Sequence, residues 1–529
     1  MRGICGRAAS RASVALLGSA ALFAATAASA QNAAKDDGSL YVQCDGHPNN
    51  VTGGETAARL LGAITLIGLL APGPESADAS KRKFGSEGVA ACTALIDGDR
   101  KEGNAERRLG LLLGRAIHQV EAKDYDAAIA DVGRARSEAD AAGLSGNPAF
   151  ERNRGRAFDN VEALARFRKG EDAAAHALAL RSTPAVRGGL IQLLTATNYA
   201  PFVRDGGDAE RAFLDARTRA YPGFAGAHAD RLEEMGRFAE AAALRDALVD
   251  FERFVDPETM VSANLAKSAM SHALAGNTDM AAKRAAEAKT NFEQRRASAT
   301  PESNGSAYVE VMDLYALMQR AQEGRAAEAR PLFAARSQWV EASFGSVMEV
   351  NRRLRAGAAP AELTGALAMD ADAMWTDRAT TRRAAMLASD GDNKTLFGAI
   401  PAGVSSRSYE ALSRNVWRAD KSKIVLKPGA KAKNPAVQPM LIHAAGLVET
   451  FDGYTLHGAL VAKARGHDAF VMIPMIQKEF AAALLVTGKM GDPGLHPAIA
   501  NHADAVIANL SPLIPSPETI AARRKVAAR

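Results

Sequence analysis

The sequence predicts a mostly α chain, an α-solenoid of stacked helix pairs followed by a small α+β domain. Three observations carry that expectation. Aromatic residues make up only 5% of the chain, alanine dominates its middle, and strand-like alternation is scarce before residue 400. Small residues recur at fixed offsets from candidate turns between Ala116 and Ala329. After residue 412 the pattern changes to short β-branched and aromatic runs.

The first 30 residues read as an export signal and not as part of the fold. Arg2, Arg7 and Arg11 form a basic start, Val14 to Ala25 is apolar, and Ala28-Ser29-Ala30 fits a small-residue cleavage site before Gln31. A transmembrane anchor is the competing reading, but the apolar run falls short of the roughly 20 residues a bilayer core requires. Cys5 precedes the run, where a lipid-modified cysteine would follow it, which argues against a lipoprotein. The expected localisation is the periplasm of a Gram-negative bacterium.

Charge excludes one partner class. The chain carries a formal charge of +5, and removing the three signal arginines lowers it to +2. Arg523, Arg524, Lys525 and Arg529 cluster in the tail, residues 517–529, so the body is close to neutral. Nucleic-acid binders carry a basic face or stripe, and none is expected as a partner. The tail reads as a solvated end or as a weak contact with an anionic envelope surface.

Residues 31–95 are expected to form a helical segment closed by a disulfide. Once Cys5 is removed with the signal, Cys44 and Cys92 remain, and two thiols in an oxidising compartment suggest one bridge. Two buried free thiols are the alternative. Between them, "RLLGAITLIGLLAPGP", 59–74, is too short to span a membrane and reads as a buried helix or a membrane-lying segment.

Residues 96–387 form the expected helical body. "AKDYDAAIADVGRA", 122–135, resembles the second half of a tetratricopeptide repeat, a helix-turn-helix unit with small residues where its two helices cross. Helix axes approach to about 8 Å only where side chains are nearly absent. With Lys123 in place of the turn glycine, Ala116, Ala128 and Ala135 take the small-residue positions and Tyr125 plugs the turn. The same frame turns at Gly170 with Ala163 and Ala175, and at Gly236 with Ala229, Ala241 and the plug Phe238. It turns again at Gly276 with Ala269, Ala281 and Ala288, and at Gly324 with Ala329, where Leu317 and Arg336 break the pattern. The turns lie 47, 66, 40 and 48 residues apart, wider than the roughly 34 of the family, which implies longer helices or further helices between pairs. An irregular array of antiparallel pairs is the alternative.

The resemblance implies an extended concave surface that binds proteins or peptides. Asp230, Glu233 and Glu234 would face it, suiting a basic or amine-bearing ligand, unless they are a solvated acidic face. His118, His176, His228 and His272 fall one per helix pair, none spaced to share a metal, and read as packing or surface histidines. "RASATPESNGSA", 296–307, is a loop, and "NRRLRAG" and "WTDRATTRRAAM" are basic helix faces expected to be salt-bridged.

A linker, 388–412, precedes the last domain, 413–516. There "NVWRADKSKIVLKPG", 415–429, reads as one or two strands, "LHGALVAKARGHDAFVMIP" as a helix stopped at Gly466 before a buried strand, "ALLVTGKMG" as another strand and "NHADAVIANLSPLIP" as a helix. Gly466, His467, Asp468 and Phe470 resemble the helix-to-strand step of small α+β domains in Gram-negative envelope proteins, with His467 replacing an aromatic residue and Gly458 interrupting the helix.

His443, His457, His467, His496 and His502 lack cysteine companions and His-x-x-x-His spacing, so no metal is expected. No nucleophile elbow, phosphate loop or His-Glu-x-x-His occurs, so no catalytic residues and no cofactor are expected. The function expected is that of an exported, non-enzymatic protein-binding or scaffolding protein. The alternative is an envelope accessory factor or enzyme with its site in the last domain; a self-associating structural protein is a third class.

Overall fold

The computed structural model describes residues 38–49, 78–99, 101–181, 202–256, 261–298, 305–336, 338–389, 406–418, 437–440, 447–477 and 480–527. The export signal, the apolar stretch 59–74, half of the loop 296–307, most of the linker 388–412, residues 419–429 and His443 lie outside the described residues. Within them the chain is mostly helical, with a small antiparallel sheet near the carboxyl terminus.

The described residues open with α1 (Leu40–Asp45) and α2 (Gly85–Ile96), joined by the Cys44–Cys92 disulfide with its sulfurs 2.07 Å apart. Five helix pairs follow among the described residues: α3 (Ala105–Glu121) with α4 (Tyr125–Ala141), and α5 (Arg156–Lys169) with α6 (Asp172–Leu180). After α7 (Gly207–Ala220) come α8 (Ala225–Glu234) with α9 (Phe238–Val255) and α10 (Ser262–Leu274) with α11 (Thr278–Arg296). The fifth pair is α12 (Gly305–Gln322) with α13 (Ala326–Ala335), followed by α14 (Phe344–Arg355) and α15 (Ala371–Leu387).

The five turns share one geometry. Lys123, Gly170, Gly236, Gly276 and Gly324 all have positive φ, at 65°, 97°, 75°, 81° and 76°. At the first turn Lys123 N donates to Val120 O (3.0 Å) and Asp124 N to Gln119 O (2.8 Å). The same two bonds recur at the others, as Asn277 N to His272 O (2.9 Å) and Arg325 N to Arg320 O (2.8 Å) illustrate. They satisfy carbonyls orphaned at the helix end and reverse the chain. Lys123 is the only non-glycine with positive φ among the described residues. Side-chain caps start several helices; Asn104 accepts from Arg107 N (3.0 Å) and Asp370 from Ala373 N (2.8 Å).

Small residues sit where the paired helices meet. Ala116, Ala128, Ala135, Ala229, Ala241, Ala269, Ala281 and Ala288 are each at most 1% exposed. Ala163, Ala175 and Ala329 are buried equally, and Leu317 occupies its crossing as a buried side chain. Tyr125 and Phe238 pack against the adjoining cores from partly buried positions.

The carboxyl-terminal part is α16 (Ser406–Val416), β1 (Gln438–Met440), α17 (Leu447–Ala464), β2 (Ala469–Gln477), β3 (Phe480–Gly488), β4 (Asn501–His502), α18 (Ala503–Leu510) and α19 (Pro517–Ala527). Residues 415 and 416, expected in a strand, end α16 instead, because the 406–416 segment has one apolar stripe that buries Tyr409, Leu412 and Val416. The basic tail, expected as a solvated end, forms α19 through residue 527, with Arg523, Arg524 and Lys525 exposed. Gly466 (φ 73°) stops α17 as read from the sequence.

The sheet runs β1-β3-β2-β4, all antiparallel, with Val471 opposite Val486. Alternation sends Phe470, Met472, Ala483 and Leu485 to one core with α16, α17 and α18. Val471 and Val486 point the other way, into a core with Ala225, Ala229 and Leu232 of α8 and Ala241, Leu244 and Phe251 of α9. A strand apolar on both faces must be covered on both. One cover here comes from the helical body, so the last segment shares its core with the third helix pair.

Candidate functional site

On α8 the spacing i, i+3, i+4 brings Asp230, Glu233 and Glu234 to one side of the helix. Glu233 is only 2% exposed. Its carboxylate accepts from Arg245 Nε of α9 (2.9 Å), Ser346 Oγ of α14 (2.7 Å) and the hydroxyls of Ser271 and Ser343. Arg245 Nη2 also donates to Asp230 Oδ1 (2.6 Å). Burial works to lower the Arg245 pKa, but Glu233 and Asp230 outweigh it and hold the guanidinium above its ordinary value. Burial likewise works to raise the Asp230 carboxyl, and Lys267 and Arg245 hold it below the usual range.

Glycine makes this approach possible. A Cβ on Gly345, one residue into α14, would stand 2.3 Å from the Glu233 carbonyl carbon and the Glu234 nitrogen. The start of α14 therefore meets the end of α8 backbone to backbone, and Ser343 caps α14 while serving Glu233. The crevice beside the cluster, lined by Arg245, Lys267, Met270, Ser343 and Ser346, is too narrow to admit water.

Of the three carboxylates assigned to a ligand-facing surface, Glu233 is therefore closed off from ligand. Asp230 and Glu234 keep part of their surface, and each already holds an arginine. Glu234 pairs with Arg231 (3.1 Å) and with Arg378 of α15 (3.3 Å). Arg378 lies over the Phe344 ring, its Cζ 4.1 Å from the centroid. Five residues on, Arg383 repeats the arrangement. Its Nε bonds both oxygens of Asp172 (3.2 and 3.1 Å), its Nη2 donates to Phe167 O (2.9 Å), and its Cζ stands 5.1 Å from the Phe167 centroid. Arg378 and Arg383, two of the three arginines of α15, are thus each gripped between a phenylalanine face and a carboxylate, while Arg382 is exposed. The sequence marks this segment only as a basic face. Its carboxylate partners lie more than 140 positions away, beyond the reach of local patterning.

Among the described residues His118, His176, His228, His272 and His457 are buried and serve the packing. His118 is wholly buried, with Nε2 2.6 Å from Cys44 O and Nδ1 2.8 Å from Glu121. A side chain on Gly88 would strike its ring. His272 Nε2 pairs with Asp246 (2.9 Å), and burial lowers His176. His228 Nδ1 meets Thr218 Oγ1 at 3.0 Å, and burial, then Arg217 and Arg219, push it down to about 3. His457 Nδ1 bonds Val416 O (2.7 Å), His467 Nδ1 bonds Thr487 Oγ1 (3.0 Å), His496 accepts from Ala498 N (3.1 Å) and His502 is exposed. Among the described residues no three potential metal ligands converge, and no helix is long and apolar enough to cross a membrane.

No family model, curated protein or solved structure matches the chain.

Proposed function

We propose that this chain is an exported, non-enzymatic protein-binding or scaffolding protein, built on tetratricopeptide-like helix pairs stacked as a solenoid and working in the periplasm. The observation that carries this reading is the fivefold recurrence of one turn geometry, each time flanked by buried small residues seven positions before, Leu317 excepted, and five after. Repetition of one supersecondary unit extends a surface in one direction, which is what recognition of a protein partner uses. The exposed Arg523, Arg524 and Lys525 of α19 suit a weak secondary contact with an anionic envelope surface.

An envelope enzyme with its site in the carboxyl-terminal segment is the weaker reading. The buried Asp452, Tyr409 and His457 there are bonded to Arg152, to one another or to Val416 O. Those bonds hold the segment together. The test is crosslinking of the full chain, with its own amino terminus, in intact cells, followed by fractionation and identification of crosslinked proteins. Recovery of the processed chain in the periplasm with a reproducible partner is the expected result. An unprocessed cytoplasmic chain, or no partner above control, overturns the proposal.

A further inference from the structure

α15 is an unusual helix in this fold. Of its 17 residues only Ala371 is buried. Met374 touches the core of the fourth and fifth helix pairs, and Met386 and Leu387 touch that of the first two. The helix thus bridges two separate cores while adding little to either. What holds it is mainly charge: Arg204 to Asp372 (2.5 Å), Arg378 to Glu234 (3.3 Å) and Arg383 to Asp172 (3.1 Å). All three pairs have a partner at least a quarter exposed, so each is individually weak and screened by salt. Two of its three arginines also stack on rings, Arg378 on Phe344 and Arg383 on Phe167, a contact that selects a flat guanidinium over an ammonium.

We propose that the two clamps, Phe344 with Glu234 and Phe167 with Asp172, form an interaction surface for arginine-bearing helical segments. In the free chain α15 occupies it as an internal ligand. A partner presenting two arginines at the spacing of Arg378 and Arg383 displaces α15 and takes its place. This rests on the protein-binding reading above and names the chemistry of the partner. The clamps belong to the helical body and their occupant to a late segment with little buried surface, so exchange leaves both cores intact. A ligand that must first displace α15 binds with its affinity reduced by the fraction of time the clamps are free.

The test uses the full mature chain and a fluorescent peptide of sequence 371–387. In the Arg378→Ala/Arg383→Ala chain the internal ligand is weakened, and the peptide should bind about tenfold tighter than to the wild type, the inverse of the fraction of time the wild-type clamps are free. Adding Asp172→Asn and Glu234→Gln should abolish that gain, as should Arg378→Lys with Arg383→Lys in the peptide, Arg382 being left unchanged. Circular dichroism on each variant establishes that it is folded. Hydrogen exchange on the wild type, which needs no substitution, should show 371–387 opening before α5 and opening further in high salt. The proposal is overturned if the peptide binds both chains alike, if lysine serves as well as arginine, or if 371–387 exchanges as slowly as α5. Failure of these arms while crosslinked partners persist would remove the clamps and leave the protein-binding reading standing.

Discussion

Arg152 and Asp452, 300 positions apart, form a buried ion pair between the helical body and the carboxyl-terminal segment, with Arg152 Nη2 2.5 Å from Asp452 Oδ1. Arg152 sits in a π-turn, Glu151–Gly155, at the entrance to α5. Tyr409 of α16 donates its hydroxyl to Asp452 Oδ2 (2.8 Å). Burial works to lower the Arg152 pKa, but Asp452 outweighs it and raises the value; burial and then Asp452 raise that of Tyr409. Removing one member of a buried pair leaves the other charge stranded. Asp452→Ala is expected to lose about 3–5 kcal/mol, and Tyr409→Phe about 1 kcal/mol. Urea unfolding measures both; an Asp452→Ala midpoint equal to wild type would rule out the pair as a structural tie.

Lys123 adopts a backbone that its side chain disfavours. The other four hairpin turns use glycine there. Lys123→Gly is expected to stabilise the chain by up to about 1 kcal/mol, the left-handed penalty of an L-residue less the chain entropy glycine adds to the unfolded state. Gly276→Ala should move the thermal midpoint the opposite way.

The crossings are tested by adding bulk. Ala128, Ala241 and Ala281 are at most 1% exposed and belong to three different helix pairs. Leucine at each should cost about 1–3 kcal/mol, and the three costs should add because the sites belong to three different cores. Unchanged melting of the triple variant would mean that these helices are not in close contact.

His228 makes stability depend on pH. Its folded value, about 3, lies below the ordinary 6.5, so the unfolded chain binds the proton first as pH falls. Its contribution is complete above pH 6.5 and is lost progressively down to pH 3. Between pH 7 and pH 5 the wild type should lose about 2 kcal/mol more than His228→Gln. Equal slopes for the two chains in denaturant titrations at those pH values would exclude a buried neutral imidazole.

The sequence made local geometry legible. Five turns and their flanking small residues could be read because a left-handed residue and a missing side chain are short-range requirements, marked by Gly at four of the turns and by Ala at all but one of the offsets seven before and five after them. Gly466 and the buried strand after it were readable for the same reason. What escaped was everything set by distant partners. The charges of Asp230, Glu233 and Glu234 were visible, but Arg245, Ser343, Ser346 and Arg378, which neutralise or bond them, are contributed by α9, α14 and α15. The shared core escaped likewise. "AFVMIP" shows both faces of β2 to be apolar without naming α8 and α9 as the cover for one of them.

That cover fixes an order of events during biogenesis. Val471 and Val486 reach the third helix pair only after the last fifth of the chain has been synthesised, so α8 and α9 emerge with an apolar side that has no early neighbour. Closing a contact across more than 200 residues is slow compared with forming the hairpins themselves. Nascent or prematurely terminated chains should therefore hold ready-made helix pairs with a sticky flank, the state in which a chaperone is most needed and aggregation begins.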